Sequence, residues 1–183
     1  MRQLRYSVAA SLDGFIAGPN GEFDWIPMDP EIDFVALYAS FSALVMGRRS
    51  YEVYVQTGGS PGPSLPTYVY SRGLPEGARD GVTFVHDGAA HVRQLKQQDG
   101  KPIWLWGGGA LFGELSGAGL VDGVDVAVIP ILLGGGIPLR PPGGARIPLR
   151  LRRHRLYPSS GIVFVEYDRG DADAGQHGPR SGA

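Results

Sequence analysis

Two periods of apolar spacing alternate along this chain, and the switches between them divide it into strands and helices. Residues 4–10, LRYSVAA, form a short segment that predicts a first strand entering the core. Residues 11–25, SLDGFIAGPNGEFDW, break the pattern with Gly14, Gly18, Pro19, Asn20 and Gly21, a composition of turns. A loop of that length in a compact domain is often an active-site element. Spacings of three and four return at Phe34, Leu37, Tyr38 and Phe41. They predict a helix opened by Asp29 as N-cap, with Pro30 at its first position and Glu31 and Asp33 in its first turn. Residues 43–46 read as a strand, and Gly47-Arg48-Arg49-Ser50-Tyr51-Glu52 as the start of a further helix. Residues 56–66 are a Gly/Pro/Ser loop; 67–70 and 82–85 are strands, and 89–98 a helix with Val92 and Leu95 turned inward.

The stretch KPIWLWGGGALFGEL, residues 101–115, carries the strongest signal. Ile103 to Trp106 is an apolar run fit for a buried strand; Gly107, Gly108 and Gly109 follow, and a helix begins at Ala110 and Leu111. A strand running through glycines into a helix leaves backbone N–H groups converging on one place, with the positive end of the helix dipole behind them. Without Cβ atoms there, a phosphate can approach the backbone closely. The stretch reads as a pyrophosphate site or as a tight connection with no ligand. It is not the dinucleotide fingerprint of the doubly wound fold, because Phe112 takes the third glycine's place.

Residues 124–129 are another strand, closed by Pro130-Ile131-Leu132-Leu133-Gly134-Gly135-Gly136, and 146–157 with 160–168 alternate as a terminal antiparallel pair. Arg150, Arg152, Arg153 and Arg155 read most simply as exposed charges on that pair. The whole predicts an α/β three-layer domain over residues 1–168, with a mostly parallel central sheet and antiparallel C-terminal strands. A flexible tail is expected over 169–183, where no apolar residue exceeds alanine in size. In such a sheet ligands sit beyond the carboxyl ends of the strands. The polar candidates fall there: the loop after the first strand, Arg48-Arg49-Ser50, Ser71-Arg72 and the three glycines.

Composition narrows the function classes. The 183 residues carry a net charge of -1, and the only Lys/Arg block not offset by acidic residues is 150–155, so nucleic acid is not the expected partner. There is no cysteine, hence no disulfide, thiolate nucleophile or cysteine metal site, and no metal is expected. No stretch approaches the length of a membrane span, and a cytoplasmic enzyme or binding protein is the default. The β-branched and apolar residues of 124–131 and 146–165, with few charges before Arg146, suggest an exposed edge covered in a homodimer.

With these residues in view, the chain resembles the dihydrofolate reductase-like superfamily, closest to the reductase domain of the riboflavin-pathway deaminase/reductase and its stand-alone relatives. The likeness rests on Ser11-Leu12-Asp13-Gly14 with Ile16-Ala17, Val45-Met46-Gly47-Arg48-Arg49-Ser50-Tyr51-Glu52, the glycine turn, and Pro130 to Gly136. It implies a dihydrofolate reductase-like fold and NADPH as hydride donor to a small heterocyclic or carbonyl substrate; dihydrofolate reduction, or ligand binding without turnover, are the alternatives. Carried onto matching positions, Arg48, Arg49, Ser71 and Arg72 surround the 2′-phosphate. Ser50 and the amides of Gly108, Gly109, Ala110 and Leu111 hold the pyrophosphate, and Gly47 and Gly107 are also cofactor-binding positions. Ala9 and Ile16 flank the nicotinamide under a lid formed by residues 11–25. Asp13, Asp24 and Glu31 are the ionisable candidates for proton transfer, an ordered water being the alternative; Glu31, with Asp33 nearby, falls at the place of the pterin-gripping carboxylate. Asp13 reads equally as a side chain that bonds backbone in a turn. Where the riboflavin-type reductases carry an Asp-Glu pair, this chain has Asp122-Gly123.

Overall fold

The hydrophobic alternation closes into one large sheet. In the computed structural model, which describes residues 1–58 and 65–170, the chain runs through fifteen elements. They are β1 (Leu4–Ser11), β2 (Phe15–Ala17), α1 (Phe34–Ala39), β3 (Ala43–Gly47), α2 (Arg48–Gln56), β4 (Thr67–Tyr70), β5 (Gly77–Arg79) and β6 (Val82–Val85). After these come α3 (Gly88–Gln97), β7 (Ile103–Gly107), α4 (Gly109–Gly117), β8 (Gly123–Ile129), β9 (Ile137–Pro138), β10 (Leu149–Tyr157) and β11 (Ile162–Arg169). Nine strands lie in the order β10-β11-β8-β1-β7-β3-β4-β6-β5. The centre is parallel, from β8 across to β6, and antiparallel strands finish both sides.

Period two decides which residue meets which layer. Along β7, Ile103 and Leu105 join one core with Val92 and Leu95 of α3 and Leu111, Phe112 and Leu115 of α4. Trp104 and Trp106 point the other way, toward Tyr38 and Phe41 at α1 and Tyr51 and Tyr54 of α2. Alternate residues of a continuously apolar strand thus serve two helix layers, as a parallel sheet buried on both faces requires. The three-layer α/β dihydrofolate reductase-like architecture is the observed one.

Several expectations change. The first helix starts four residues later than Asp29 suggests: Asp33 is the N-cap, accepting from the Ala36 amide at 2.8 Å, while Asp29 closes a separate turn through the Glu31 amide at 2.8 Å. Both aspartates can cap, and the sequence does not say which turn propagates. The supposed loop 11–25 contains β2, paired with β9, and the Leu139 amide donates to Gly14 O at 2.8 Å. Strands of two or three residues leave no periodic signal. β5, with the exposed segment Gly77-Ala78-Arg79, is invisible for the same reason. β8 lies between β1 and β11, so residues 124–129 are not an edge; the edge on this side is β10, whose arginines discourage further pairing. The loop expected at 56–66 and the tail at 169–183 fall largely outside the described residues, and α2 occupies the first of these up to Gln56.

Candidate functional site

β3 and β7 are parallel neighbours, and each passes at once into a helix. α2 has Gly47 as its N-cap and α4 has Gly108; neither cap has a side-chain bond, and neither helix has an acidic residue in its first turn. α1 and α3, by contrast, are capped by the carboxylates of Asp33 and Asp87. Two helices therefore present uncapped first-turn amides side by side at the carboxyl ends of the central strands, where an anion would satisfy them. The two starts touch: a Cβ on Gly47 would lie 3.9 Å from Leu111 Cβ, and one on Gly107 would lie 2.9 Å from Ser50 Oγ. The Gly107–Gly108 peptide is cis, a feature for which the sequence carries no signal.

Gly109 is fixed by its surroundings rather than by its backbone angles. A Cβ there would lie 2.5 Å from the carbonyl oxygen of Pro138, inside contact distance of rigid backbone. Gly109→Ala must push the start of α4 away from β9, and we expect a loss of about 1–3 kcal/mol in stability, measured by denaturant unfolding. A wild-type midpoint would show that the contact relaxes freely.

These helix starts open into a cleft of about 1950 Å³. Ala9, Ile16, Gly47, Arg48, Arg49, Ser50, Ser71, Arg72, Gly107, Gly108, Gly109, Ala110 and Leu111 all line it, so every candidate cofactor residue is brought to one cavity. Three cations stand at its rim. Arg48 lies 3.5 Å from Glu52, Arg72 lies 3.7 Å from Glu114, and Arg49 makes no ion pair among the described residues. All are exposed, so the existing pairs are weak and open to exchange. Tyr70, which sequence reasoning overlooked, forms part of the wall. Its ring packs over Gly88, and its hydroxyl lies 3.1 Å from His91 Nδ1.

Asp13 and Glu31 are not among the cleft-lining residues. The Asp13 carboxylate accepts from Ser11 Oγ at 2.6 Å and from the amides of Gly134 at 2.7 Å and Leu133 at 3.1 Å. It ties the end of β1 to the glycine-rich segment after β8. Those bonds, Ser11's foremost, hold its pKa below the ordinary carboxylate value. A depressed pKa adds stability above the unfolded value and loses it as pH falls through the folded one. Amide exchange at Leu133 and Gly134 is thus expected to follow its intrinsic pH dependence from about pH 8 to about pH 5 and to rise only below about pH 4. Loosening near neutrality would contradict the tether. Glu31 faces outward, 3.7 Å from Arg155 and 3.4 Å from Ser159 Oγ.

The far half of the cleft was not legible. Its walls are Ile26, Phe34, Leu37, Trp104, Ile129 and Phe164, an apolar and aromatic set, with Ser7 below. Trp104 is fixed by donating its indole N–H to Ser7 O at 2.8 Å. Arg153, Arg155 and Tyr157 also line it, whereas the sequence reads the arginines as plain surface. The available signal was their spacing of two, ending on an aromatic. Of the described lining residues, the carboxylates are Asp33, Glu52 and Glu114. Beneath this half lies a buried ion pair. Arg5 donates from Nε and Nη2 to Asp125 at 2.9 and 2.6 Å, and from Nη1 to Asp168 at 2.9 Å. Burial pulls the Arg5 pKa down, and the two carboxylates more than offset that, so it lies above its usual value.

A three-layer dihydrofolate reductase-like domain, with one long cleft across the carboxyl ends of its parallel strands, defines the class of protein. The chain belongs to the family of the RibD C-terminal domain, whose model matches residues 70–163. It is similar to YyaP of Bacillus subtilis (strain 168), an uncharacterized protein, at 34% identity over 91% of this chain and 94% of that one. Among solved structures it is similar to a protein of Shewanella sp. PV-4 named for riboflavin biosynthesis, with TM-score 0.78 and 26% identity over 93% of this chain and 100% of that one. It shares the fold of dihydrofolate reductase from Enterococcus faecalis complexed with NADP(H), with TM-score 0.69 and 19% identity over 92% of this chain and 97% of that one. No helix among the described residues is long and apolar enough to cross a membrane.

Proposed function

We propose that the protein is an NADPH-dependent reductase acting on a small heterocyclic or carbonyl substrate. The observation that carries this reading is the meeting of two uncapped helix N-termini with Arg48, Arg49 and Arg72 in one cleft. The residues fit the cofactor. The amides of Arg49, Ser50, Ala110 and Leu111 and the Ser50 hydroxyl would hold the pyrophosphate, and Gly109 leaves the backbone bare where a side chain would intrude. Arg48, Arg49, Ser71 and Arg72 would meet the 2′-phosphate; among the described residues the carboxylates lining this half, Glu52 and Glu114, lie beside Arg48 and Arg72, so the net charge there favours a phosphate over the free ribose hydroxyl of NAD. Ala9 and Ile16 would flank the nicotinamide ring.

When bound, the nicotinamide supplies a hydride. The chain's own residues orient the partner and exclude water: the half-buried Phe34 and Phe164 can pack on a planar ring, the buried Trp104 borders them, and Pro19, Asn20, Gly21 and Phe23 line the same space. A proton must also be delivered. Of the acidic residues near this half, Asp33 lines the cleft while Asp13 and Glu31 do not, so Asp33, directly or through water, is the group we assign to proton transfer. Its Oδ1 holds the Ala36 amide, which fixes the carboxylate at the start of α1. Folate is disfavoured, because Glu31, at the matching place for the pterin carboxylate, is engaged by Arg155 and Ser159. The test is NADPH oxidation with pyrimidine, pterin and simple carbonyl substrates, on wild type and Asp33→Asn. Turnover by wild type, with kcat lowered and NADPH affinity kept in the variant, is expected. Tight NADPH binding without turnover on any substrate would favour a ligand-binding protein.

A further inference from the structure

Beneath the far half of the cleft a row of one hydroxyl and three charged residues runs in register across four neighbouring strands. Ser7 of β1 pairs with Asp125 of β8, Asp125 with Glu166 of β11, and Glu166 with Arg153 of β10. Asp125 and Glu166 are buried, at 3% and 8% exposure. Asp125 is satisfied by Arg5. Glu166 is satisfied by Arg153, whose Nε donates to Glu166 Oε2 while the side chain remains 71% exposed in the cleft. Among the described residues the two terminal nitrogens of Arg153 have no other hydrogen-bond partner. A buried carboxylate thus grips the guanidinium by its inner nitrogen and leaves its planar fork facing the cavity.

The chain departs from regular strand geometry to achieve this. Leu151 pairs with Tyr167 and Arg153 with Glu166, so Arg152 is an extra residue in β10. Leu149 and Leu151 lie on the face of Tyr167, the side of the sheet that α3 and α4 cover. In an unbroken strand Arg153 and Arg155 would follow them there, because residues two apart share a face. The bulge moves Arg153, Arg155 and Tyr157 to the face of Ile162 and Phe164, which borders the cleft. Arg155 is braced in turn, lying over the Tyr157 ring at 4.5 Å and 3.7 Å from Glu31.

We propose that Arg153, aimed by the bulge at Arg152 and held by Glu166, is the specificity-determining residue that receives an oxyanion of the substrate, with Arg155 as a second cation and Glu166 as a positioning residue. The assignment rests on the reading of this half as the substrate site. The ligand's body is an apolar planar ring, matching Trp104, Phe34 and Phe164, and its charged end is a carboxylate or a phosphate, either of which a guanidinium fork accepts in bidentate fashion.

Benzoate, phenyl phosphate and the uncharged benzamide serve as probes, titrated by calorimetry into protein saturated with NADPH, so that Arg48, Arg49 and Arg72 are already occupied. One of the two anions is expected to bind roughly tenfold or more tightly than benzamide, and which one does so identifies the oxyanion. Arg153→Ala is expected to erase that preference without changing NADPH affinity. Arg153→Lys keeps the charge but not the fork and recovers only part of it, and Glu166→Gln weakens it several-fold through the freed guanidinium. An anion preference untouched by Arg153→Ala, or no preference in wild type, would overturn the proposal. The same titration on the Arg48→Ala/Arg49→Ala/Arg72→Ala variant without cofactor reads Arg153 independently. Failure of NADPH to bind wild type would therefore remove the cofactor reading and leave the Arg153 result standing.

Discussion

Replacing Arg48 and Arg49 together with alanine is expected to cost the protein most of its preference for NADPH over NADH. Both side chains are exposed at the start of α2 and line the cleft beside Ser71 and Arg72. Neither is needed by the fold: Arg48 has one loose pair with Glu52 at 3.5 Å, and Arg49 has no ion pair among the described residues. Their loss should leave folding unchanged within about 0.5 kcal/mol, as for surface substitutions in general. Each charged hydrogen bond lost to a 2′-phosphate should weaken NADPH by about 1–3 kcal/mol, and NADH, which lacks that phosphate, much less. Added salt should shrink the wild-type preference, since the contacts are solvent-exposed. A double variant that still prefers NADPH by the wild-type margin would place the 2′-phosphate elsewhere.

The half of the cleft at the two helix starts was legible because it is built from backbone. Gly107 to Gly109 after an apolar strand, and Gly47-Arg48 after another, mark strand-to-helix turns by composition alone. Parallel pairing of β3 and β7 then brings the two turns together. The far half was not legible because side chains from strands far apart in the chain build it. Trp104 looks like core and is core, stacked on Phe41 at 4.8 Å and 5% exposed, yet it also borders the cleft. Arg153 and Arg155 look like surface until the extra residue Arg152 is known, and one residue of register decides which face they take. Asp29 shows the limit of capping signals: it closes a turn of its own through the Glu31 amide, and Asp33, expected inside the first turn, is the cap of α1.

The largest stability effect is expected from Asp125→Ala. Asp125 and Arg5 are each 3% exposed, joined by two hydrogen bonds, and sit between β1 and β8 in the middle of the sheet. Burial pushes the Asp125 pKa above the usual carboxylate range, with Arg5 pulling against it; its ionised form therefore depends on that partner. Removing the carboxylate leaves the buried guanidinium with Asp168 and Tyr167 O as its main partners, which should cost about 3–5 kcal/mol. Replacing Arg5 and Asp125 together with methionine and leucine should restore much of the loss, because apolar isosteres leave no charge unpaired. Urea unfolding of the single and double variants decides this. A single variant within about 1 kcal/mol of wild type would mean that water reaches Arg5 and that the layer beneath the far half of the cleft is not dry.

Calorimetric titration of the wild-type protein with NADPH and with NADH tests the central claim most directly. A cleft with two uncapped helix N-termini and three rim arginines should bind NADPH at least tenfold more tightly than NADH, a difference of about 1.4 kcal/mol. Equal affinities, or no heat with either cofactor, would contradict the reading of this cleft as a phosphate-gripping nicotinamide site.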